Sequence, residues 1–150
     1  MAIGDLITDS LFSQILVEPT GRGSSELFAV TGYASAAMAS RHFEVVSKEY
    51  GRKLAIDLHI GMSGRDGLSR RTLLGLRAIP RQIDGKEFNC TLSPRGNSVH
   101  SKVYVWCDET GPREAFLGSS NYTQLGFGVS GTKGAHKEIC TAIDPEMGLR

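Results

Sequence analysis

The chain predicts an α/β fold, a mixed β-sheet covered by helices, on three observations. Two strand-then-helix units follow one another in the first half, four strand-like runs with no long helix fill the second, and turn residues punctuate those runs. Residues 26–33 are apolar and rich in strand formers, and Ser35 sits where an N-cap would start a helix over 36–50, which Gly51 ends. Residues 53–60 read as a second buried strand. Helical spacing through Leu73, Leu76 and Ile79 then predicts a helix over 68–79, stopped by Pro80. Two βα units in series favour parallel strands. Beyond Pro80 the pattern changes to strands over 87–92, 99–107, 113–117 and 136–143, with turns at Pro94-Arg95-Gly96-Asn97 and Thr110-Gly111-Pro112, so the sheet is expected to be mixed.

At 150 residues the chain is expected to form one domain, 1–150, a size that buries roughly 70% of the surface exposed on unfolding. Cys90, Cys107 and Cys140 are an odd number without C-x-x-C spacing, which argues against a disulfide framework or a zinc site and fits a reducing compartment. The first ten residues include Asp5 and Asp9 and lack the basic and apolar regions of a signal peptide, and no apolar run approaches the ~20 residues of a membrane span. A cytoplasmic protein with no membrane contact is the expectation. No repeat, low-complexity tract or linker interrupts the chain, and the glycine-rich segment 126–134 reads as a mobile loop. The glycines of 61–67 have neither the G-x-G-x-x-G nor the G-K-[ST] spacing of a nucleotide cradle.

Net charge is only +1, but its distribution is uneven. Arg65, Arg70, Arg71, Arg77 and Arg81 face the single Asp66 between residues 61 and 82, a local balance of +4, whereas residues 1–30 are acidic. These arginines read equally well as the solvated face of a helix or as a surface for phosphates.

The chemistry is concentrated in two segments. His100 and Lys102 lie two residues apart ahead of Val103-Tyr104-Val105-Trp106, and Gly118-Ser119-Ser120-Asn121 begins eighteen residues after the histidine. On a strand His100 and Lys102 share one surface while Ser101, Val103 and Val105 turn away. A lone strand histidine is more often a hydrogen-bonded structural residue, so the glycine-asparagine segment carries the reading. An anionic phosphodiester needs a nitrogen nucleophile, fixed donors for the charge gathering on its oxygens, and an acid for the leaving oxygen. His100 suits the first, and Lys102 and the Asn121 amide suit the second. Gly118 allows close backbone approach and, with Ser119, is expected to support the phosphate.

These residues resemble the signature of the phospholipase D superfamily, His-x-Lys, four residues, Asp, six residues, Gly-Ser-x-Asn, which His100, Lys102, Gly118, Ser119 and Asn121 match. Cys107 stands where the signature has Asp, with Asp108 one place late, and the hairpin through Asp108-Glu109-Thr110-Gly111-Pro112 makes the interval four residues longer. The blocks Thr31-Gly32-Tyr33-Ala34-Ser35-Ala36-Ala37-Met38-Ala39, Ile60-Gly61-Met62, Phe116-Leu117-Gly118-Ser119-Ser120-Asn121-Tyr122-Thr123-Gln124, Lys137-Glu138-Ile139 and Asp144-Pro145-Glu146 resemble NgoFVII-type (BfiI-like) type II restriction endonucleases.

The resemblance implies a phospholipase D-like nuclease domain that cleaves double-stranded DNA through a phosphohistidine on His100, with no cofactor and no metal. The superfamily reaction uses two histidines and this chain offers one His-x-Lys motif, so a homodimer with a shared active site is expected, its two imidazoles holding different protonation states. Glu138 corresponds to an acidic site residue of those enzymes, expected to orient a histidine and to take over what Cys107 cannot do. Strand parity sets His136 on the same face, outside the catalytic set. His42 and His59 carry no motif and read as structural. Tyr33 and Ser35 fall at a strand end, as a phosphate-path lining and, for Ser35, more simply an N-cap. Relatives carry a separate DNA-recognition domain downstream, which this chain is expected to lack. The alternatives are a nonspecific phospholipase D-like nuclease or phosphodiesterase, and an inactive nucleic-acid-binding or dimerisation module.

Overall fold

The computed structural model describes residues 2–83, 87–129 and 137–148. In chain order its elements are β1 (Leu6–Ile7), a π-helical stretch (Phe12–Val17), α1 (Glu18–Gly21), β2 (Glu26–Thr31), α2 (Ala36–Tyr50), β3 (Ala55–Ile60), α3 (Ser63–Asp66), α4 (Arg70–Gln82), β4 (Glu87–Leu92), β5 (Val103–Asp108), β6 (Gly111–Gly118), β7 (Cys140–Ile143) and α5 (Pro145–Gly148). Among the described residues the strands form a seven-stranded sheet in the order β1-β7-β6-β5-β2-β3-β4. β2, β3 and β4 are parallel, and β5, β6, β7 and β1 add to them antiparallel, giving the mixed sheet expected.

Alternation along each strand divides the sheet into two faces. Leu27, Ala29, Ile56, Leu58, Ile60, Phe88, Tyr104, Trp106 and Phe116 belong to one core cluster with Met38, Phe43 and Val46 of α2, Leu76 and Ile79 of α4, and Ile15 and Leu16 of the π-helical stretch. On the other face Val105, Cys107 and Ala115 form a small cluster with Val103 and Ile143, and α5 packs against β5 and β6. Buried side chains hold the wide π turns: Trp106 Nε1 donates to the Ile15 carbonyl at 2.7 Å and His42 Nε2 to the Leu16 carbonyl at 2.5 Å. His42 Nδ1 is thereby left to accept from the Tyr122 hydroxyl at 2.9 Å. Burial pushes the His42 imidazole down to about 4. His59 meets the Thr91 and Ser93 hydroxyls, each at 2.9 Å. Both histidines have the structural employment expected of them.

The local signals mostly hold. Ser35 Oγ accepts from Met38 N at 3.2 Å as an N-cap, and Gly51 closes α2 at φ 61°, in the left-handed region. Pro80 does not stop α4, which begins after the N-cap Ser69 and runs to Gln82. Pro80 forfeits the bond that its N–H would give to the carbonyl four residues back, and α4 ends two residues beyond it. The strand expected over 99–107 begins at Val103, because residue 99 joins the β3 loop instead, Val99 N donating to Gly61 O at 3.2 Å. The strand expected from 136 begins at Cys140; His136 and residues 130–134 of the glycine-rich segment lie outside the described residues. β1 had no counterpart in the sequence reading, a two-residue strand being too short to show a period.

Candidate active site

The strand directions bring the motif segments to one end of the sheet. β2 and β3 finish there at Thr31 and Ile60, β5 starts there after His100 and Lys102, β6 ends there at Gly118, and β7 starts there after Glu138. Backbone bonds tie the segments together: Gly118 N donates to Lys102 O at 3.1 Å, Ser119 N to Ile139 O at 2.9 Å, and Ser35 N to Tyr122 O at 3.1 Å.

Gly32, buried directly after β2, is the floor on which the histidine and the asparagine meet. A Cβ placed there would lie 2.8 Å from His100 Cδ2, 3.0 Å from Asn121 Oδ1 and 3.2 Å from Met62 Cγ. The Asn121 amide is fixed in direction, since Oδ1 accepts from Tyr33 N at 3.0 Å. Its NH2 end is therefore the part left for a ligand, with two donors that pH does not remove. Thr31 organises the turn beneath: Oγ1 accepts from Tyr122 N at 2.9 Å and donates to the Tyr33 carbonyl at 2.9 Å. His100 itself is exposed, with the Tyr33 ring edge-on at 6.3 Å between centroids. The Tyr33 hydroxyl donates to Asp66 Oδ2 at 2.5 Å, which raises the phenol above its ordinary range.

Lys102 and Glu138 lie on adjoining strand ends, ahead of β5 and β7. Lys102 is only 7% exposed, and Nζ donates to the His100 carbonyl at 2.9 Å. Its parity matches Tyr104 and Trp106, so the stem enters the helix-covered side of the sheet. Burial lowers the ammonium pKa, and the Glu138 carboxylate acts against that shift. Glu138 Oε2 accepts a short bond from Ser119 Oγ, which in turn accepts from Ile139 N at 3.0 Å. Ser119 thus holds the carboxylate. At Gly118 an added Cβ would strike the Ile139 carbonyl and lie 2.7 Å from Cys140 Cα, so this glycine lets β6 and β7 close together.

Position 107 is not part of the constellation. Cys107 lies at the far end of β5, seven residues or roughly 20 Å of extended chain from His100, buried against Val105 and Ala115. Asp108 turns into the hairpin, accepting from Thr110 N at 2.7 Å and pairing with Arg113 at 3.4 Å. Glu138 therefore does not replace an acid lost at Cys107, because the two positions occupy opposite ends of the sheet. Sequence reasoning gave no role to Thr31, Gly32 or Met62; a glycine immediately after a strand was the available signal. Among the described residues no three His, Cys, Asp or Glu side chains group as metal ligands, and no helix is long and apolar enough to cross a membrane.

The fold is similar to that of a polyphosphate kinase from Porphyromonas gingivalis, with a TM-score of 0.54 at 14% identity over 93% of this chain and 23% of that one. The chain thus spans about a quarter of that structure's length. No curated protein matches it. The model of the NgoFVII restriction endonuclease N-terminal PLD domain matches residues 9–149. With that match over nearly its whole length, the chain belongs to the NgoFVII restriction endonuclease N-terminal PLD domain family.

Proposed function

We propose that this domain hydrolyses phosphodiester bonds of double-stranded DNA without a metal ion, through a phosphohistidine on His100. The observation that carries the reading is the meeting of the His100 ring and the oriented Asn121 amide over Gly32, with Lys102 Nζ on the His100 carbonyl. In the first step a neutral His100 nitrogen attacks phosphorus, a P–N bond forms as the P–O bond to the leaving nucleoside breaks, and that oxygen takes a proton from a second imidazole. Asn121 N–H donors and the Lys102 ammonium stabilise the charge on the nonbridging oxygens, the kind of donor worth roughly a hundredfold or more in rate. In the second step water gives a proton back to the second imidazole as it attacks phosphorus, and the P–N bond breaks. Ser119 and Ile139 N hold the strand end that carries Glu138, placing its charge to favour an imidazolium.

The second imidazole comes, in this reading, from the partner subunit's His100 across a two-fold axis. His100 is exposed at the end of the sheet, where such a meeting is sterically open. The domain works beside a separate DNA-reading element, in the cytoplasm. The test is plasmid cleavage in excess EDTA against a His100→Ala control: turnover that persists in chelator and vanishes in the variant supports the reading, and strict dependence on magnesium refutes it.

A further inference from the structure

The structure divides the arginines of residues 61–82 into two groups and adds a member that the sequence pattern missed. α4 begins at the site end of the sheet and runs back toward the start of β4. Arg70 and Arg71 therefore stand at the site end, while Arg81 lies eleven residues on, about 16 Å along the helix axis, with Arg77 a turn before it. Arg77 lines a pocket of about 310 Å³ under the helix with Leu73, Leu76 and Phe88, so its surroundings are apolar.

Arg65 and Arg95 belong to one rigid corner beside the site. Gly64 is packed so closely on the turn between β4 and β5 that a Cβ would strike the Asn97 carbonyl, and Gly96 N donates to Gly64 O at 3.0 Å. Ser63 Oγ reaches the Ser93 carbonyl at 3.2 Å. The same corner is joined to the histidine segment, Val99 N donating to Gly61 O at 3.2 Å. Arg65 is 71% exposed, and the one acid on this corner, Asp66, is engaged by the Tyr33 hydroxyl at 2.5 Å and by Arg65 Nε at 3.6 Å. Arg70, Arg71 and Arg95 are exposed as well. The opposite flank differs: around a cavity of about 340 Å³ it presents Asp9 and Glu138 against Lys137. Among the described residues the charge beside the site is thus one-sided.

We propose that Arg65, Arg70, Arg71 and Arg95 form a rim that grips the phosphates of duplex DNA on one side of the scissile bond, laying the backbone from α4 across the 63–66 and 94–97 corner into His100. The proposal rests on the nuclease reading above and deepens it by naming the surface and the polarity of approach. Tyr33 links rim and site, with its ring edge on His100 and its hydroxyl on Asp66. Arginine suits the task because its planar fork meets phosphate oxygens in pairs.

The experiment measures the affinity of the His100→Ala protein for a fluorescein-labelled duplex by anisotropy across a salt series, with and without the combined change of Arg65, Arg70, Arg71 and Arg95 to Gln. Arg77→Gln/Arg81→Gln is the charge control, and thermal melts check that each variant is folded. Four lost phosphate contacts should flatten the slope of log K against log salt by about 3.6, so that between 50 and 200 mM salt the rim variant loses roughly 150-fold less affinity than the parent. The control pair should keep the parent slope. An unchanged slope in the rim variant, or an equal fall in the control pair, overturns the rim. A protein with His100 intact that neither binds nor cleaves duplex DNA at low salt refutes the nuclease reading itself, and the rim with it.

Discussion

Gly32→Ala is the sharpest single test of the site geometry, because it adds one methyl group exactly between the two residues assigned to the chemistry. The new Cβ would stand 2.8 Å from His100 Cδ2, 3.0 Å from Asn121 Oδ1 and 3.2 Å from Met62 Cγ, where ordinary contact starts near 3.4 Å. Asn121 is held by Tyr33 N and Met62 is buried, so the exposed His100 ring is the group that yields, by at least about 0.6 Å. Displacements near 1 Å cost catalysis on the order of a hundredfold. The expected result is a tenfold to hundredfold fall in single-turnover plasmid cleavage, with duplex affinity unchanged. Stability should drop only by about 1 kcal/mol, the low end of overpacking costs, because an exposed ring can swing aside. Cleavage within threefold of the parent in a protein that melts normally would refute the placement of the reacting ring over Gly32.

Gly118→Ala should act first on folding, since its Cβ meets β7 backbone; we expect a loss of about 2–3 kcal/mol and a Tm drop of roughly 5–10 °C, and an unchanged melt would refute the close approach of β6 and β7 there. His42 is held near 4, below its ordinary 6.5, so its neutral form contributes stability that is whole above pH 6.5 and lost as pH falls toward 4, at most about 3 kcal/mol. His42→Gln should flatten that part of the Tm profile; an unchanged profile refutes the assignment. Mixing parent and His100→Ala chains should make activity fall as the square of the parent fraction, since a heterodimer holds one reactive imidazole; a linear fall would place the second proton donor within the chain.

Much of the fold was legible because its signals are local. The Ser35 cap, the Gly51 left-handed stop and the alternation of β2 and β3 each depend on residues close in sequence. What was missed depends on contacts made from afar. Val99 is drawn off the strand by Gly61, thirty-eight residues earlier, and the π turns of 12–17 are held by Trp106 and His42. No window of local sequence reports such partners. The same distinction divides the arginines: helical spacing groups Arg70, Arg71, Arg77 and Arg81 on one element, whereas only topology sets Arg95 beside Arg65 and separates Arg81 from the site.

The two departures from the superfamily signature acquire a physical meaning from the direction of β5. The motif is written along a hairpin whose ends do different work: its open end carries His100, Lys102, Gly118 and Asn121, and its closed end carries Cys107, Asp108 and the turn. A one-residue register shift between Trp106 and Cys107 lies near the closed end, and the pairing of Val103 with Leu117 keeps the open end in step. The spacing between the two motif halves can therefore change without moving the histidine relative to the asparagine. Glu138 is carried to the same open end by β7, whose Cys140 pairs with Gly118. Three strands end on one level there, and a change of register in β7 would move Glu138 away while leaving His100, Lys102 and Asn121 untouched.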